Sequence, residues 1–185
     1  MINMPERIEI KRKIVLIGNP AVGKTSLVRR FVLDQFSDDY LVTVGFKVSN
    51  KKLEYIDPKT GNIIELTLMI WDVMGQKGFV LTPQTTFFGS KGAIIVCDLT
   101  RKETLGDLEN LATALYSVTP DIPMVYVGNK KDLKEQIKIS DIEFGQAAQL
   151  RNVPHVKASA KTGQNVEELF RIIGEQILKV QGILN

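Results

Sequence analysis

The chain has 185 residues, of which 44% are hydrophobic and 24% charged, with a formal net charge of +3. This is the composition of an ordinary globular protein, and the length predicts a single domain. Cys97 is the only cysteine and His155 the only histidine. A disulfide scaffold is therefore excluded, and a multi-histidine metal site or a Ser-His-Asp hydrolase is disfavoured. The small positive charge gives no reason to expect a nucleic acid polymer as partner.

The sequence carries no signal for membrane targeting. Residues 1–7 lack the apolar stretch of a secretory leader, and no apolar run reaches the length that spans a bilayer. A lipid anchor on a C-terminal cysteine is not expected, because Cys97 lies in mid-chain. We therefore expect a cytoplasmic protein, which reaches a membrane only through partners or through a tail outside this sequence.

Apolar runs alternate with helical patterns along the chain. Apolar stretches predict strands at 14–17, 46–56, 63–71, 93–97, 124–127 and 156–158. Apolar residues spaced three or four apart predict helices at 25–33, 105–115, 141–150 and 166–178. Strands that alternate with helices favour a parallel sheet, while the turn at 57–62 makes the second and third strands a hairpin. The predicted fold class is α/β: a six-stranded, mostly parallel sheet with one antiparallel strand, flanked by about five helices. We expect a lead-in at 1–11, one domain at 12–180 and a short tail at 181–185.

The segment after the first predicted strand, Gly18 to Thr25, reads Gly-Asn-Pro-Ala-Val-Gly-Lys-Thr. This is the phosphate-binding loop pattern, in which glycines let successive backbone N–H groups point at an anion at a helix N-terminus. Lys24 adds a positive charge for the terminal phosphates, and the Thr25 hydroxyl is a candidate magnesium ligand. The phosphate-binding residues predicted here are Gly18, Ala21, Val22, Gly23, Lys24, Thr25 and Ser26.

A second polar group follows the third predicted strand. Asp72 stands at the strand end, where a carboxylate reaches magnesium through a water molecule. Gly75 lets a backbone N–H approach a γ-phosphate, and Gln76 is placed to orient an attacking water. The catalytic candidates are therefore Gln76, Lys24 and Gly75.

The next two strand ends favour guanine as the base. Asn129, Lys130 and Asp132 follow the fifth predicted strand, at the edge where open α/β sheets bind ligands. The Asp132 carboxylate can accept hydrogen bonds from guanine N1–H and its 2-amino group, and adenine has neither donor. The Lys130 stem can cover the base, and Asn129 can tie neighbouring loops together. After the last strand come Ser159, Ala160 and Lys161, where the Ala160 N–H can meet guanine O6.

With these motifs in this order, the chain resembles a Ras-superfamily small GTPase of the Rab-like branch over about residues 12–180. The resemblance implies a G domain that binds GTP and GDP with Mg²⁺ and hydrolyses GTP. It further implies that Phe36 packs on guanine, that Tyr40 closes over the phosphates, and that Thr43 binds magnesium and the γ-phosphate. The implied metal ligands are Thr25, Thr43 and, through water, Asp72. Switch I is residues 38–45, which contain Tyr40 and Thr43, and switch II is the segment around Gly75 and Gln76. The implied partners are effectors at these two switches, an exchange factor and a GTPase-activating protein, with the chain a monomer.

Three residues depart from the family pattern. Pro20 lacks an N–H beside the γ-phosphate, Met74 replaces a small residue, and Lys77 replaces an acidic one. Either these are neutral changes, or hydrolysis or exchange is slower or uses non-standard regulators. The alternatives are a GTP-binding scaffold with little hydrolysis and a P-loop ATPase or kinase. No arginine finger is identifiable, since Arg29 and Arg30 are expected on the surface of the helix after the loop.

Overall fold

The computed structural model describes residues 5–37, 45–73 and 83–184. The strands are β1 (Arg7–Gly18), β2 (Phe46–Ile56), β3 (Ile63–Val73), β4 (Gly92–Asp98), β5 (Met124–Asn129) and β6 (His155–Lys157). The α-helices are α1 (Lys24–Leu33), α2 (Pro83–Phe87), α3 (Glu103–Tyr116), α4 (Asp141–Gln149) and α5 (Val166–Val180), and a short 3₁₀ turn spans Lys134–Gln136.

The strands form one six-stranded sheet in the order β2-β3-β1-β4-β5-β6. β2 runs antiparallel to β3, and the other neighbouring pairs are parallel. The predicted fold class is therefore confirmed. Because β1, β3, β4, β5 and β6 are parallel, the loops that follow them meet at one edge of the sheet.

Helices cover the sheet on both faces because the central strands are apolar on both sides. Every residue of β4 and β5 is buried. One core cluster joins the sheet to α1 and α5, where the rings of Phe31 and Phe170 stack with centroids 3.9 Å apart. A second cluster, which includes Tyr126 and Phe144, joins the opposite face to α3 and α4. None of the helices in the described part of the chain is long and apolar enough to cross a membrane.

The structure extends β1 beyond its predicted bounds and adds a helix, α2, that was not predicted. β1 begins at Arg7, inside the segment expected as a lead-in, and its first residues pair with β3 from Ile63 onward. This half of β1 was missed because charged side chains interrupt its pattern, and one of them, Arg7, forms ion pairs with Glu54 and Glu65. The short α2 was not placed by any periodic pattern. The domain bounds 12–180 stay a prediction.

Candidate functional site

The two glycines of the phosphate-binding loop are required by close contacts. β1 ends at Gly18 and α1 begins at Lys24, so the loop connects a buried strand to a helix N-terminus. A Cβ at Gly18 would lie 2.4 Å from the carbonyl oxygen of Val96, and one at Gly23 would lie 2.2 Å from Asn129 Nδ2. Gly23 also has a φ of 95°, in the left-handed region. A larger residue at Gly18 would therefore push against the backbone of β4, and one at Gly23 would displace the side chain of Asn129.

The N-terminus of α1 lies at the end of the loop. Its N-cap residue, Gly23, has no side chain with which to cap the helix, and the first N–H groups of any α-helix lack intrahelical partners. Ala21 adopts a φ of 61°, which bends the loop in a way that turns neighbouring N–H groups to one side. Such a loop at the positive end of a helix dipole attracts an anion. Val22 is buried and anchors the loop in the core, while Ser26 lies half-buried in the first turn of α1.

Lys24 is held inside the loop. Its ammonium donates to the carbonyl oxygens of Gly18 at 2.8 Å and Asn19 at 2.9 Å, and the residue is only 7% exposed. Burial lowers the pKa of Lys24 to about 8, although the neighbouring Asp72 carboxylate partly opposes the shift. The loop therefore holds a desolvated cation whose charge a phosphate would stabilise.

Asp72 and Thr25 form the candidate magnesium position. The Thr25 hydroxyl donates to Asp72 Oδ2 at 2.5 Å, and Asp72 is 1% exposed. The other carboxylate oxygen, Oδ1, is buried without a hydrogen-bond partner among the described residues. Burial raises the pKa of Asp72, against the hydrogen bond from Thr25 and the charge of Lys24. Hydroxyl and carboxylate oxygens suit Mg²⁺, and an orphaned buried carboxylate oxygen fits a nearby cation or its water shell.

Asn129 ties the phosphate-binding loop to the loop after β6. Its Nδ2 donates to the carbonyl of Val22 at 2.9 Å, and its Oδ1 accepts from the Ala160 N–H at 3.1 Å. Asn129 is 2% exposed, so both bonds are shielded from water. The Ala160 N–H, expected to meet guanine O6, is therefore engaged by Asn129 in this structure, and a guanine O6 would have to share or replace that acceptor.

The remaining base-side residues converge on the same edge. Asp132 accepts a hydrogen bond from the Ser159 hydroxyl at 2.6 Å. Lys161 lies with its ammonium 5.9 Å from the centroid of the Phe36 ring. Lys130, at a φ of 68°, directs its ammonium to Asp98 Oδ2 at 2.6 Å. Side chains from the segments that follow β5, β6 and α1 thus border one region beside the phosphate-binding loop.

Four of the predicted site residues lie outside the described part of the chain: Tyr40, Thr43, Gly75 and Gln76. Met74 and Lys77, the departures near the third strand, lie outside it as well. Their roles stay predictions.

Three polar residues at the site were not anticipated. Arg30, expected on the helix surface, donates to the carbonyls of Ala160 at 3.0 Å and Lys161 at 2.7 Å. Asp98 pairs with Lys130, and Arg101 contacts both Asp98 and the loop residue Pro20. The signal for Asp98 was available: it ends β4 beside Asn129, which ends β5. No sequence pattern predicts the roles of Arg30 and Arg101, because their long side chains contact residues far from them in the sequence.

Comparisons with known proteins agree with this arrangement. A model of the Ras family matches residues 13–179. The chain is 32% identical over 176 residues to Ras-related protein Rab-4A of Danio rerio, covering 95% of this chain and 80% of that protein. It is 33% identical over 159 residues to Ras-related protein Rab-4 of Dictyostelium discoideum, covering 85% and 75%. It is 29% identical over 175 residues to Ras-related protein Rab-27B of Rattus norvegicus, covering 90% and 79%. The match spans nearly the whole chain and includes every strand from which the site is built, so the chain belongs to the Ras family, as a Rab-like small GTPase.

Proposed function

We propose that this chain binds GTP and GDP together with Mg²⁺, hydrolyses GTP to GDP, and changes its contacts to partner proteins with the nucleotide. The observation that carries the proposal is the meeting of three chemistries at one sheet edge. These are the glycine-rich loop around Lys24, the Asp72–Thr25 pair, and the base-side loop of Asn129 and Asp132. No other described surface brings these groups together.

Phosphate binding rests on groups that the loop already holds in place. The N–H groups at the start of α1 are aligned along the helix axis, and Lys24 is desolvated, so both act on an anion with little reorganisation. Thr25, Asp72 and, from the resemblance, Thr43 would hold Mg²⁺, which offsets the negative charge of the β- and γ-phosphates when bound.

Guanine preference rests on Asp132. A carboxylate has acceptors only, which match the N1–H and 2-amino donors of guanine, while adenine would leave it unpaired. The Ser159 hydroxyl holds one oxygen of Asp132 at 2.6 Å and so restricts the carboxylate's orientation. Phe36 and the Lys130 stem supply apolar surface for the faces of the base.

Hydrolysis is assigned to residues from the resemblance. Gln76 would orient a water for in-line attack on the γ-phosphorus, with Gly75 donating its backbone N–H to a γ-phosphate oxygen. The P–O bond to the leaving GDP breaks, and Lys24 stabilises the charge that develops on the phosphates. Loss of the γ-phosphate would release Thr43 and Gly75, and with them both switches. Tyr40 would close over the phosphates in the GTP state.

An exposed aromatic surface adjoins the two switch segments. Phe46, at the start of β2, is 43% exposed and stacks on Trp71, near the end of β3, with ring centroids 4.5 Å apart. Val48 beside it is 41% exposed, and the Lys13 ammonium lies 3.9 Å from the Trp71 ring. Exposed aromatic residues of this kind are enriched at protein interfaces. This surface supports the proposal that effectors bind across the switches, and an exchange factor and a GTPase-activating protein would act on the same region.

The proposal is tested with fluorescent mant-GTP and mant-ATP and with phosphate release. We expect tight binding of mant-GTP, weak binding of mant-ATP, and slow release of phosphate from GTP. Asp132→Ala, which leaves the phosphate-binding loop intact, is the matched variant for base choice and should lower the preference for mant-GTP. Binding without phosphate release would favour the GTP-binding scaffold, and preference for mant-ATP would favour an ATPase or kinase.

A further inference from the structure

Arg101 reaches the phosphate-binding loop from the segment between β4 and α3. Its Nη2 donates to the carbonyl oxygen of Pro20 at 2.7 Å, and its Nε donates to Asp98 Oδ2 at 3.0 Å. These two bonds place the guanidinium between the loop and the buried Asp98, with 33% of the Arg101 side chain exposed. It is a cation bound to a loop residue that the sequence places beside the γ-phosphate.

The anchor of Arg101 is rigid. Asp98 is fully buried, and its Oδ1 accepts from the Thr100 N–H at 2.9 Å and the Thr100 hydroxyl at 2.7 Å. Burial opposes ionisation of Asp98, but hydrogen bonds from Lys130 and Thr100 outweigh it and lower the pKa. A charged, fully hydrogen-bonded carboxylate thus fixes the guanidinium in one orientation.

A bond to the Pro20 carbonyl also fixes the next N–H. The peptide unit between Pro20 and Ala21 is planar and trans, so its C=O and N–H point in opposite directions. Arg101 therefore turns the Ala21 N–H away from itself. Ala21 has a φ of 61°, a left-handed conformation that is unfavourable for a residue with a Cβ. Without a bond on the carbonyl, this peptide unit would be free to turn toward a less strained orientation.

A second contact holds the neighbouring loop residue from the same side. Asn19 Nδ2 donates to Asp107 Oδ2, on α3, at 2.6 Å. The two loop residues that precede Ala21 are thus both tethered to the β4–α3 side of the molecule. Burial lowers the pKa of Lys24, the Asp72 carboxylate opposes that shift, and the charge of Arg101 adds a smaller lowering.

We propose that Arg101 is a positioning residue for the phosphate-binding loop: it holds the Pro20 peptide so that the Ala21 N–H faces the bound phosphates. This inference rests on the proposed function, because it assumes that a nucleotide occupies the loop. Pro20 has no N–H to donate, and its part in the loop is to accept the Arg101 hydrogen bond through its carbonyl oxygen.

The test compares Arg101→Ala with Arg151→Ala in the full chain. Arg151 is the matched control, because it is a partly buried arginine that also bonds a carboxylate, Glu109, but lies beside α3 and α4 away from the loop. Both variants are loaded with GTP, and single-turnover hydrolysis is measured, so that a change in affinity alone does not alter the rate. The ³¹P NMR spectrum of the GDP complex and the melting temperature are recorded in parallel.

For Arg101→Ala we expect hydrolysis about tenfold slower and a shifted β-phosphate resonance, with the melting temperature of the loaded protein within a few degrees of the parent. Arg151→Ala should hydrolyse within twofold of the parent, with no phosphate shift. If Arg101→Ala does not load, Arg101→Met keeps the aliphatic stem without a donor and tests the same contact.

Hydrolysis within twofold of the parent and an unmoved ³¹P spectrum in the Arg101 variant would overturn the inference and leave the proposed function intact. Equal losses in the Arg101 and Arg151 variants would also overturn it, since they would indicate general destabilisation. If the parent binds mant-GDP but releases no phosphate, the ³¹P shift and the mant-GDP dissociation rate carry the test. A parent that binds no guanine nucleotide refutes the proposed function itself.

Discussion

Burial of the Lys24 charge should make the nucleotide-free protein more stable at high pH. The folded protein holds this ammonium in a site where burial lowers its pKa from 10.5 to about 8. The unfolded chain, where the lysine is solvated, therefore binds more protons than the folded chain between these two pH values. Stability rises with pH wherever the unfolded state binds more protons, so this residue destabilises the fold most below pH 8, and the destabilisation fades as the pH rises through 10.5.

The size of the effect follows from the two pKa values. One pKa unit corresponds to about 1.4 kcal/mol, so raising the pH from 7 to 10 should add about 2–3 kcal/mol to the free energy of unfolding through Lys24 alone. Lys24→Met removes the titrating group while keeping most of the chain length. The difference in stability between the parent and this variant should therefore shrink or reverse as the pH rises. Bound GDP should suppress the effect, since its phosphates favour the ammonium form.

The measurement is urea unfolding of nucleotide-free protein at pH 7, 8, 9 and 10, with the parent and Lys24→Met compared at each pH. Lys91→Met is the control, because Lys91 is exposed and its removal leaves the phosphate-binding loop untouched. The difference between the parent and the control should change little over this range. A parent-minus-Lys24→Met difference that is constant from pH 7 to pH 10 would refute the reasoning from burial.

Four further substitutions test individual contacts. Thr25→Asn should weaken mant-GTP binding at least tenfold, because it removes the hydroxyl that donates to Asp72. Titrating the parent and the variant with mant-GTP at a series of magnesium concentrations measures the loss. Gln76→Leu should slow single-turnover hydrolysis without loss of GTP binding, and normal hydrolysis would remove Gln76 from the catalytic set. Asn129→Ala should lower the free energy of unfolding by about 2–4 kcal/mol and speed mant-GDP release, since two shielded hydrogen bonds are lost, as chemical denaturation and stopped-flow fluorescence would show. Arg30→Ala should speed mant-GDP release by a few fold with unchanged hydrolysis, because it frees only the loop after β6.

The fold was predictable because its signals are local. The buried strands are visible in the sequence as apolar runs, and α5 carries an apolar stripe that begins at Val166 and is buried along its length. The first half of β1 was not predictable from the sequence, because its charged side chains have their partners on other strands, as Arg7 does with Glu54 and Glu65. A charged edge segment pairs through its backbone, which hydrophobic patterning does not report.

The site was predictable where short sequence spacing determines the chemistry. Gly18, Gly23 and Lys24 stand within one loop, and their backbone geometry follows from the pattern itself. Lys130 contacts Asp98 from a segment about thirty residues away, and Arg101, close to Asp98 in the chain, reaches back to Pro20 in the phosphate-binding loop. Both contacts depend on how a long side chain is oriented. Spacing along the chain carries no information about such orientations, so the link between the two loops emerges only from the structure.

That link explains how affinity and selectivity divide between the two ends of the site. On the base side the principal polar groups already have protein partners: Asn129 has Val22 and Ala160, Asp132 has Ser159, and Lys130 has Asp98. A base must share or exchange these bonds, which adds little net free energy but rejects any base with the wrong donors.

On the phosphate side the balance is different. Asp72 Oδ1 has no hydrogen-bond partner among the described residues, so it gains one without giving one up. The positive end of the α1 dipole adds attraction for the phosphates. The buried Lys24 ammonium also gains, because bound phosphate restores the charge stabilisation that burial removed. Most of the binding free energy should therefore come from the phosphates and their metal, and most of the selectivity from Asp132. Removing phosphates should therefore lower affinity by removing favourable contacts, whereas replacing guanine should lower it by leaving Asp132 without donors.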